Sequence, residues 1–309
     1  MELPPGGEEA RPFVSARPNA NRLPRKWNRT SMRPHAPADK ESRVLYVAIR
    51  AARKAGAMIA RAFDERDRLQ VTRKEQHDYV TDVDRRAEAI ILNELRQHYP
   101  DHGFVAEESD RRGGTQSVVW YIDPLDGTTN FIHGYPHFSV SIAAWRRGRP
   151  LLAVVHDPIL NETFEAQAGK GALLNRRRLR VSSEGEISRA IFASGLPPYR
   201  LDQIDRFQRR MEQCMRAAEG YRRGGSAALD LAYIAAGRLD AYWEGGLMPW
   251  DLAAGVLLVQ EAGGMVTDLH GGPFDLEAGD VLAANPRLHE RFRRLLIAAD
   301  RDGGERPSS

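Results

Sequence analysis

The stretch "SVVWYIDPLDGTTNF", Ser117 to Phe131, constrains the fold more than any other part of this chain. An apolar run bounded by turn signals reads as a buried strand, and this one ends in Asp123 and Asp126. Asp-Pro and Asp-Gly are strong turn signals, so a plain turn is one reading. Aspartates at the end of an apolar strand, however, need something to compensate their charge. A hard divalent cation does so, because Mg²⁺ takes carboxylate oxygens, carbonyls and water and commonly shares its shell with a substrate phosphate. The Pro-Leu turn between them directs both side chains and the Leu125 carbonyl toward one point. Gly127, Thr128 and Thr129 follow; glycine permits close backbone approach, and a helix start there offers free N–H groups to an anion.

Further acidic clusters strengthen that reading: Asp84 in "VTDVD", Glu107 and Glu108 in "EES", and Asp251 in "PWDLAAG". Residues 43–63 space Val44, Ala48, Ala51, Ala55, Met58 and Ala62 as an amphipathic helix, whose Arg50, Arg53, Lys54 and Arg61 form a solvated or anion-facing side. Thr81 and Asp84 spell a capping box before a second helix that stops at Pro100. The middle of the chain, through "HFSVSIAAWRRGRPLLAVVHDP" and "ETFEAQAGKGALLNRRRLRV", reads as strands and turns. Beyond about residue 185 helices alternate with short strands, which favours a second α/β half. The expected organisation is a metal-binding α+β half over 41–185 and an α/β half over 186–300, with a flexible tail at 301–309.

Composition narrows the class. The chain has 309 residues, of which 42% are hydrophobic, and a single cysteine, Cys214, so no internal disulfide forms and a reducing cytoplasm is the expected location. No apolar run approaches the ~18 residues of a membrane span. A net charge of +3 is weak support for a nucleic-acid partner. Residues 1–40 hold eight Lys/Arg, four Asp/Glu and seven prolines without apolar periodicity, and are read as a disordered basic tail, or as an upstream start with Met32 as the true beginning. Cys214 and the histidines, His133 and His137 among them, show no ligand spacing and read as structural or surface groups.

The runs "EES", "WYIDPLDGTTNF" and "WDLAAGVLLVQEAGG" resemble the inositol monophosphatase family, over roughly residues 42–298. The resemblance implies a layered αβαβα sandwich of the inositol monophosphatase and fructose-1,6-bisphosphatase type, with the site between the halves, and a homodimer. It implies that Glu107, Asp123 and the Leu125 carbonyl hold one Mg²⁺ and that Asp123, Asp126 and Asp251 hold a second, with Asp84 contacting a further ion through water. Glu107, Thr128, Asp126 and Asp84 take the catalytic roles, with metal-activated water attacking phosphorus in line and no covalent intermediate. Lithium sensitivity follows from the same family pattern.

The substrate side of the resemblance comprises Gly127, Thr128, Gly225, Ser226, Ala227, Glu244 and Asp251. A carboxylate at Glu244 suits the vicinal hydroxyls of inositol 1-phosphate, and equally an ammonium, leaving histidinol phosphate open beside fructose 1,6-bisphosphate and 3′-phosphoadenosine 5′-phosphate. Arg222 and Arg223 are candidates for a second phosphate or for a surface or interface. Bacterial members of the family are also associated with transcription complexes, which makes a transcription-factor or RNA partner the expectation from another functional class, consistent with the basic tail and the first helix.

Overall fold

The computed structural model describes residues 40–65, 71–75, 78–109 and 117–302. α1 (Lys40–Asp64) forms on its apolar stripe: Val44, Val47, Ala48, Ala51, Ala52, Ala55 and Ile59 are buried. A hairpin of β1 (Val71–Glu75) and β2 (Asp78–Thr81) leads into α2 (Asp82–His98). The expected capping box opens α2: the Thr81 hydroxyl accepts the Val83 N–H at 3.1 Å, and the Asp84 carboxylate accepts the Thr81 N–H at 2.8 Å. The run of small alanines on α1 lets α2 pack closely against it.

Seven strands form one sheet in the order β3-β4-β5-β6-β7-β8-β9. They are β3 (Gly103–Ala106), β4 (Val118–Asp126), then, after the short α3 (Thr128–Ile132), β5 (Ser139–Arg146), β6 (Arg149–Asp157), β7 (Glu162–Gln167), β8 (Gly171–Leu174) and β9 (Arg177–Arg178). β3 runs parallel to β4, and the rest are antiparallel neighbours, joined from β5 onward by short turns. The second sheet has the order β11-β10-β12-β14-β13. Its strands alternate with helices except for the last two: β10 (Ile191–Ser194), α4 (Ile204–Ala217), β11 (Gly220–Arg222), α5 (Ala227–Ala235), β12 (Ala241–Glu244), α6 (Pro249–Glu261), β13 (Met265–Thr267), β14 (Val281–Ala284) and α7 (His289–Asp302).

Side-chain alternation explains the layers. Along β5, Val140, Ile142 and Ala144 pack toward α1 and α2, whereas Ala143 and Trp145 pack toward α5 and α6. On β12, Tyr242 joins the α5/α6 core while Ala241 and Trp243 face α4 and α7. The order is therefore α1/α2, sheet, α5/α6, sheet, α4/α7, the αβαβα sandwich expected from the sequence. α5 and α6 are apolar nearly all round because sheets cover both of their sides.

Several expectations change. α1 begins at Lys40 and α7 extends through Asp302, so residue 40 and residues 301–302 are helical; helix ends commonly outrun the apolar signal. The remainder of the two tails, residues 1–39 and 303–309, lies outside the described residues. The basic side of α1 is not a uniformly solvated stripe: Arg50 and Lys54 both pair with Glu94 of α2, and Arg53 Nε donates to Thr163 Oγ1 at 3.2 Å. Cys214 is on the buried face of α4, and burial pushes its thiol up to about 12, in keeping with a structural role.

His156 on β6 is buried against Gly56 of α1, where an added Cβ would lie 2.5 Å from the ring. With Nδ1 assigned as donor, it faces Thr163 Oγ1 at 3.1 Å and the Glu162 carbonyl at 3.2 Å. Burial, then the Arg53 charge, pushes its pKa down to about 4. A histidine whose folded pKa lies below its unfolded value stabilises the protein above the unfolded pKa, near 6.5, and loses that contribution as pH falls toward 4. Acidification across that window is expected to remove about 3 kcal/mol of folding free energy through this group. Denaturant unfolding of wild type and His156→Gln at several pH values checks it: the variant should show a shallower acid slope, and identical slopes would reject the assignment.

Candidate active site

The site begins with a β-bulge. Asp123 pairs with Ser141 and Asp126 with Ser139, so three steps on β4 match two on β5. Residues directly opposite in a sheet share a face, and Ser139 and Ser141 are two apart, so the extra residue brings Asp123 and Asp126 onto one face. Pro124 fits the bulge because it has no N–H to leave unpaired there. Gly127 then turns the chain with φ +100°, where an added Cβ would sit 3.1 Å from the His137 carbonyl and the Phe138 side chain. α3 starts at once, bringing the 127–128 backbone to the pocket wall.

Each aspartate is tethered through one oxygen. Asp123 Oδ1 accepts the Leu125 N–H at 2.9 Å, and Asp251 Oδ2 accepts the Met248 N–H at 2.9 Å at the start of α6, where Pro249 occupies a first-turn position that needs no N–H donor. Asp126 Oδ2 accepts the Ser226 hydroxyl at 2.5 Å and the Ala228 N–H at 2.8 Å, which ties the bulge to the first turn of α5. Ser226 also accepts the Leu229 N–H at 3.3 Å, so one hydroxyl caps α5 and holds Asp126.

Glu107 lines the same pocket from the segment after β3. The next two residues are fastened by Glu88 of α2, which accepts the Glu108 N–H at 2.8 Å and the Ser109 hydroxyl. Glu88 is a positioning group that the sequence reading did not single out; its spacing fits a helix interior, and only tertiary packing brings it to the "EES" segment.

Thr128 Oγ1 lies 2.9 Å from Asp84 Oδ1 and 3.0 Å from the Leu125 carbonyl, and its proton serves one acceptor at a time. Asp84 also accepts the Thr81 hydroxyl at 2.5 Å, so a cap residue of α2 orients the hydroxyl of α3. Asp84 itself is fully buried and lies behind the pocket wall.

Electrostatics mark the floor of the pocket. Burial raises Asp123 well above the usual carboxylate range, with Glu107, Asp126 and Asp251 adding repulsion. Asp251 is raised well above it by burial and then by Asp126 and Glu107, and burial pushes Asp126 up to about 6. Among the described residues, no three or more His, Cys, Asp or Glu side chains stand in an arrangement that would by itself hold a metal ion. The donor set is all oxygen: four carboxylates around one pocket and the Leu125 carbonyl, which fits a hard cation that shares its shell with water and a substrate rather than an all-protein cage. A cation there would reverse the repulsion.

The expected substrate residues divide. Gly127, Thr128, Gly225 and Asp251 line the pocket. Ser226 and Ala227 stand behind it in the α5 cap. Glu244 is also behind the lining: it is buried, accepts the Tyr242 hydroxyl at 2.8 Å, and packs where a Cβ on Gly195 would come within 2.5 Å of its carboxylate. Burial pushes it up to about 7. Arg223 lines the pocket, whereas Arg222 is exposed and donates to the Tyr221 carbonyl at 2.9 Å. Asn130, not marked in the sequence reading, joins the two halves by donating to the His137 carbonyl at 2.7 Å and the Gly224 carbonyl at 2.9 Å. Asp230 of α5 is likewise buried beside Arg223 and was not marked, because its spelling is that of an ordinary helix residue.

Comparison with known proteins agrees with this geometry. A Nus factor SuhB from Pseudomonas aeruginosa is 48% identical over 258 residues, covering 82% of this chain and 94% of that protein. The crystal structure of the extragenic suppressor protein SuhB from Bartonella henselae matches with a TM-score of 0.79 at 43% identity, covering 82% of this chain and 98% of that one. The inositol monophosphatase from Anabaena (Nostoc) sp. PCC 7120 matches with a TM-score of 0.75 at 39% identity, covering 82% and 95%. Since the model of the inositol monophosphatase family also matches residues 40–301, nearly the whole layered body, the chain belongs to that family of phosphatases.

Proposed function

We propose that the chain is a Mg²⁺-dependent phosphomonoester hydrolase, with inositol 1-phosphate as its substrate. The observation that carries this reading is the bulge that puts Asp123 and Asp126 on one face of β4, in a pocket shared with Glu107 and Asp251. On this reading Glu107, Asp123 and the Leu125 carbonyl hold one Mg²⁺, Asp123, Asp126 and Asp251 hold another, and Asp84 supports a third ion through water. Bound there, the metal supplies Lewis acidity toward phosphate and water.

The chain's own residues do the rest. With its proton on Asp84 or the Leu125 carbonyl, the Thr128 hydroxyl keeps lone pairs to accept a hydrogen bond from water and orient it toward phosphorus. Glu107, on the pocket wall, is the base that helps take the proton. The backbone N–H groups of Gly127 and Thr128 donate to the phosphate oxygens. Gly225 and Arg223 form the side that meets the alcohol, and Glu244 acts on it from behind, with Ser226 and Ala227 supporting that wall. Arg223 in the lining gives the bisphosphates, fructose 1,6-bisphosphate and 3′-phosphoadenosine 5′-phosphate, a specific claim as alternatives, and histidinol phosphate stays with them.

A second reading is favoured by the name of the curated relatives, Nus factor SuhB. On it, the chain is also a partner of transcription complexes, in the cytoplasm and as a homodimer, while keeping its phosphatase body.

Phosphate release from the four esters, with Mg²⁺ and with EDTA, is the deciding experiment. Release that needs Mg²⁺ and favours inositol 1-phosphate supports the first reading, a different preferred ester replaces the substrate assignment, and no release from any ester leaves the partner reading in front. Asp251→Asn is expected to lower turnover roughly a thousandfold, about 4 kcal/mol, and wild-type turnover would reject its role. Relief of buried repulsion gives a prediction independent of turnover: millimolar Mg²⁺ should raise the melting temperature of wild type, and the increase should shrink in Asp123→Asn. An equal increase in both proteins would count against Asp123 as a ligand.

A further inference from the structure

A cavity of about 70 Å³ lies between β12, the 3₁₀ turn Pro198–Gln203 and the first turns of α4. Three guanidiniums, those of Arg200, Arg206 and Arg210, line it against one carboxylate, Asp280. Like charges four residues apart on a helix repel, yet α4 carries Arg206 and Arg210 at that spacing, and Arg210 is only 6% exposed. Asp300 of α7 holds both. Each guanidinium donates through Nε to Oδ1 at 2.9 Å and through Nη2 to Oδ2 at 2.7 Å. Two positive charges thus share one negative charge, and the shared carboxylate fixes both forks by the same edge. The remaining nitrogen of each, Nη1, has no acceptor among the described residues.

The third guanidinium enters from the 3₁₀ turn: Arg200 lies over Gly246, where φ is +75° and an added Cβ would come 2.1 Å from its Nη1. Its ion pair with Asp202, 3.6 Å long and on the surface, neutralises it weakly. Asp280 is committed to the neighbouring turn, where its Oδ1 accepts the Gly246 N–H at 3.0 Å. No side chain caps the start of α4 at Gln203, so the positive end of that helix adds to the field. Phe207 and Trp243, with ring centroids 5.6 Å apart, supply the apolar wall. The space equals that of two to three waters, too small for a metabolite or a peptide side. A single small oxyanion fits, because its oxygens accept from forks that arrive in several directions. We propose that this cavity binds one free tetrahedral oxyanion, inorganic phosphate or its isostere sulfate.

The cavity is distinct from the catalytic pocket but shares a wall with it. Leu196 lines both, while Pro198 and Tyr199 face the pocket and Arg200 faces the cavity. The two differ in sign: the pocket holds Glu107, Asp123, Asp126 and Asp251, which repel an oxyanion once metal is removed. Binding in the cavity therefore does not rest on the hydrolase reading, and EDTA separates the two sites.

The test is calorimetric titration of sodium phosphate into the full chain in EDTA, with chloride holding the ionic strength constant. Wild type is expected to take one phosphate per chain with a Kd on the order of 0.1 mM, and sulfate is expected to compete for it. Arg200→Gln, which leaves the Asp300 clamp intact, is expected to weaken binding about tenfold through loss of one charge-assisted contact. Gln203→Leu keeps all three guanidiniums and is expected to weaken it by roughly threefold. Arg223→Gln, in the catalytic pocket, is expected to leave the Kd unchanged. Wild type without saturable binding, or an Arg200→Gln protein with the wild-type Kd, overturns the proposal. Binding that is lost in Arg223→Gln but kept in Arg200→Gln overturns it too, because the ion then sits in the catalytic pocket.

Discussion

The structure depends on keeping negative charge inside a protein. Asp123 and Asp126 end a strand whose Trp120 and Ile122 are fully buried, and Asp251 heads a helix wrapped by two sheets. Unpaired carboxylates in such a place are costly, and the fold answers with oriented donors: the Leu125, Met248 and Ala228 N–H groups and the Ser226 hydroxyl. Three helix starts, at α3, α5 and α6, are drawn to the same region. Their positive ends offset part of the repulsion and leave a remainder that a cation suits.

This requirement accounts for the layering. α5 and α6 must bring their first turns to the pocket while their lengths are covered on both sides, so they sit between the sheets and are apolar all round. The bulge on β4 is likewise explained by the site: a regular strand would send Asp123 and Asp126 to opposite faces. Asn130 and Asp126 then fasten the β4–α3 corner to the segment before α5, so the pocket wall is built from both sheets' connections and held by hydrogen bonds rather than by apolar packing alone.

Much of this was legible from the residues. Alanine spacing marked α1, Thr81 and Asp84 marked the start of α2, and the acid-ended apolar run marked β4 and its turn. The short strands β13 and β14 and the hairpin β1–β2 were not, because three to five residues carry too little periodicity to distinguish strand from loop. Glu88, Asn130 and Asp230 escaped because their roles come from partners 20 to more than 90 positions away, or from burial alone. The cations of α1 looked like an open face until Glu94 of α2 was found between Arg50 and Lys54.

The sequence by itself determined the family, through its long motifs, and through that resemblance the layered fold; local spelling fixed which residues start helices, end strands and carry the charge that meets in the pocket. Tertiary structure alone decided that Asp84 orients Thr128, that Glu244 stands behind the pocket wall, and that Arg206 and Arg210 of α4 share Asp300 of α7. The reason is physical: residue type and spacing set local conformation, but distances between side chains far apart in the chain are set by strand register and helix packing, which no single segment encodes.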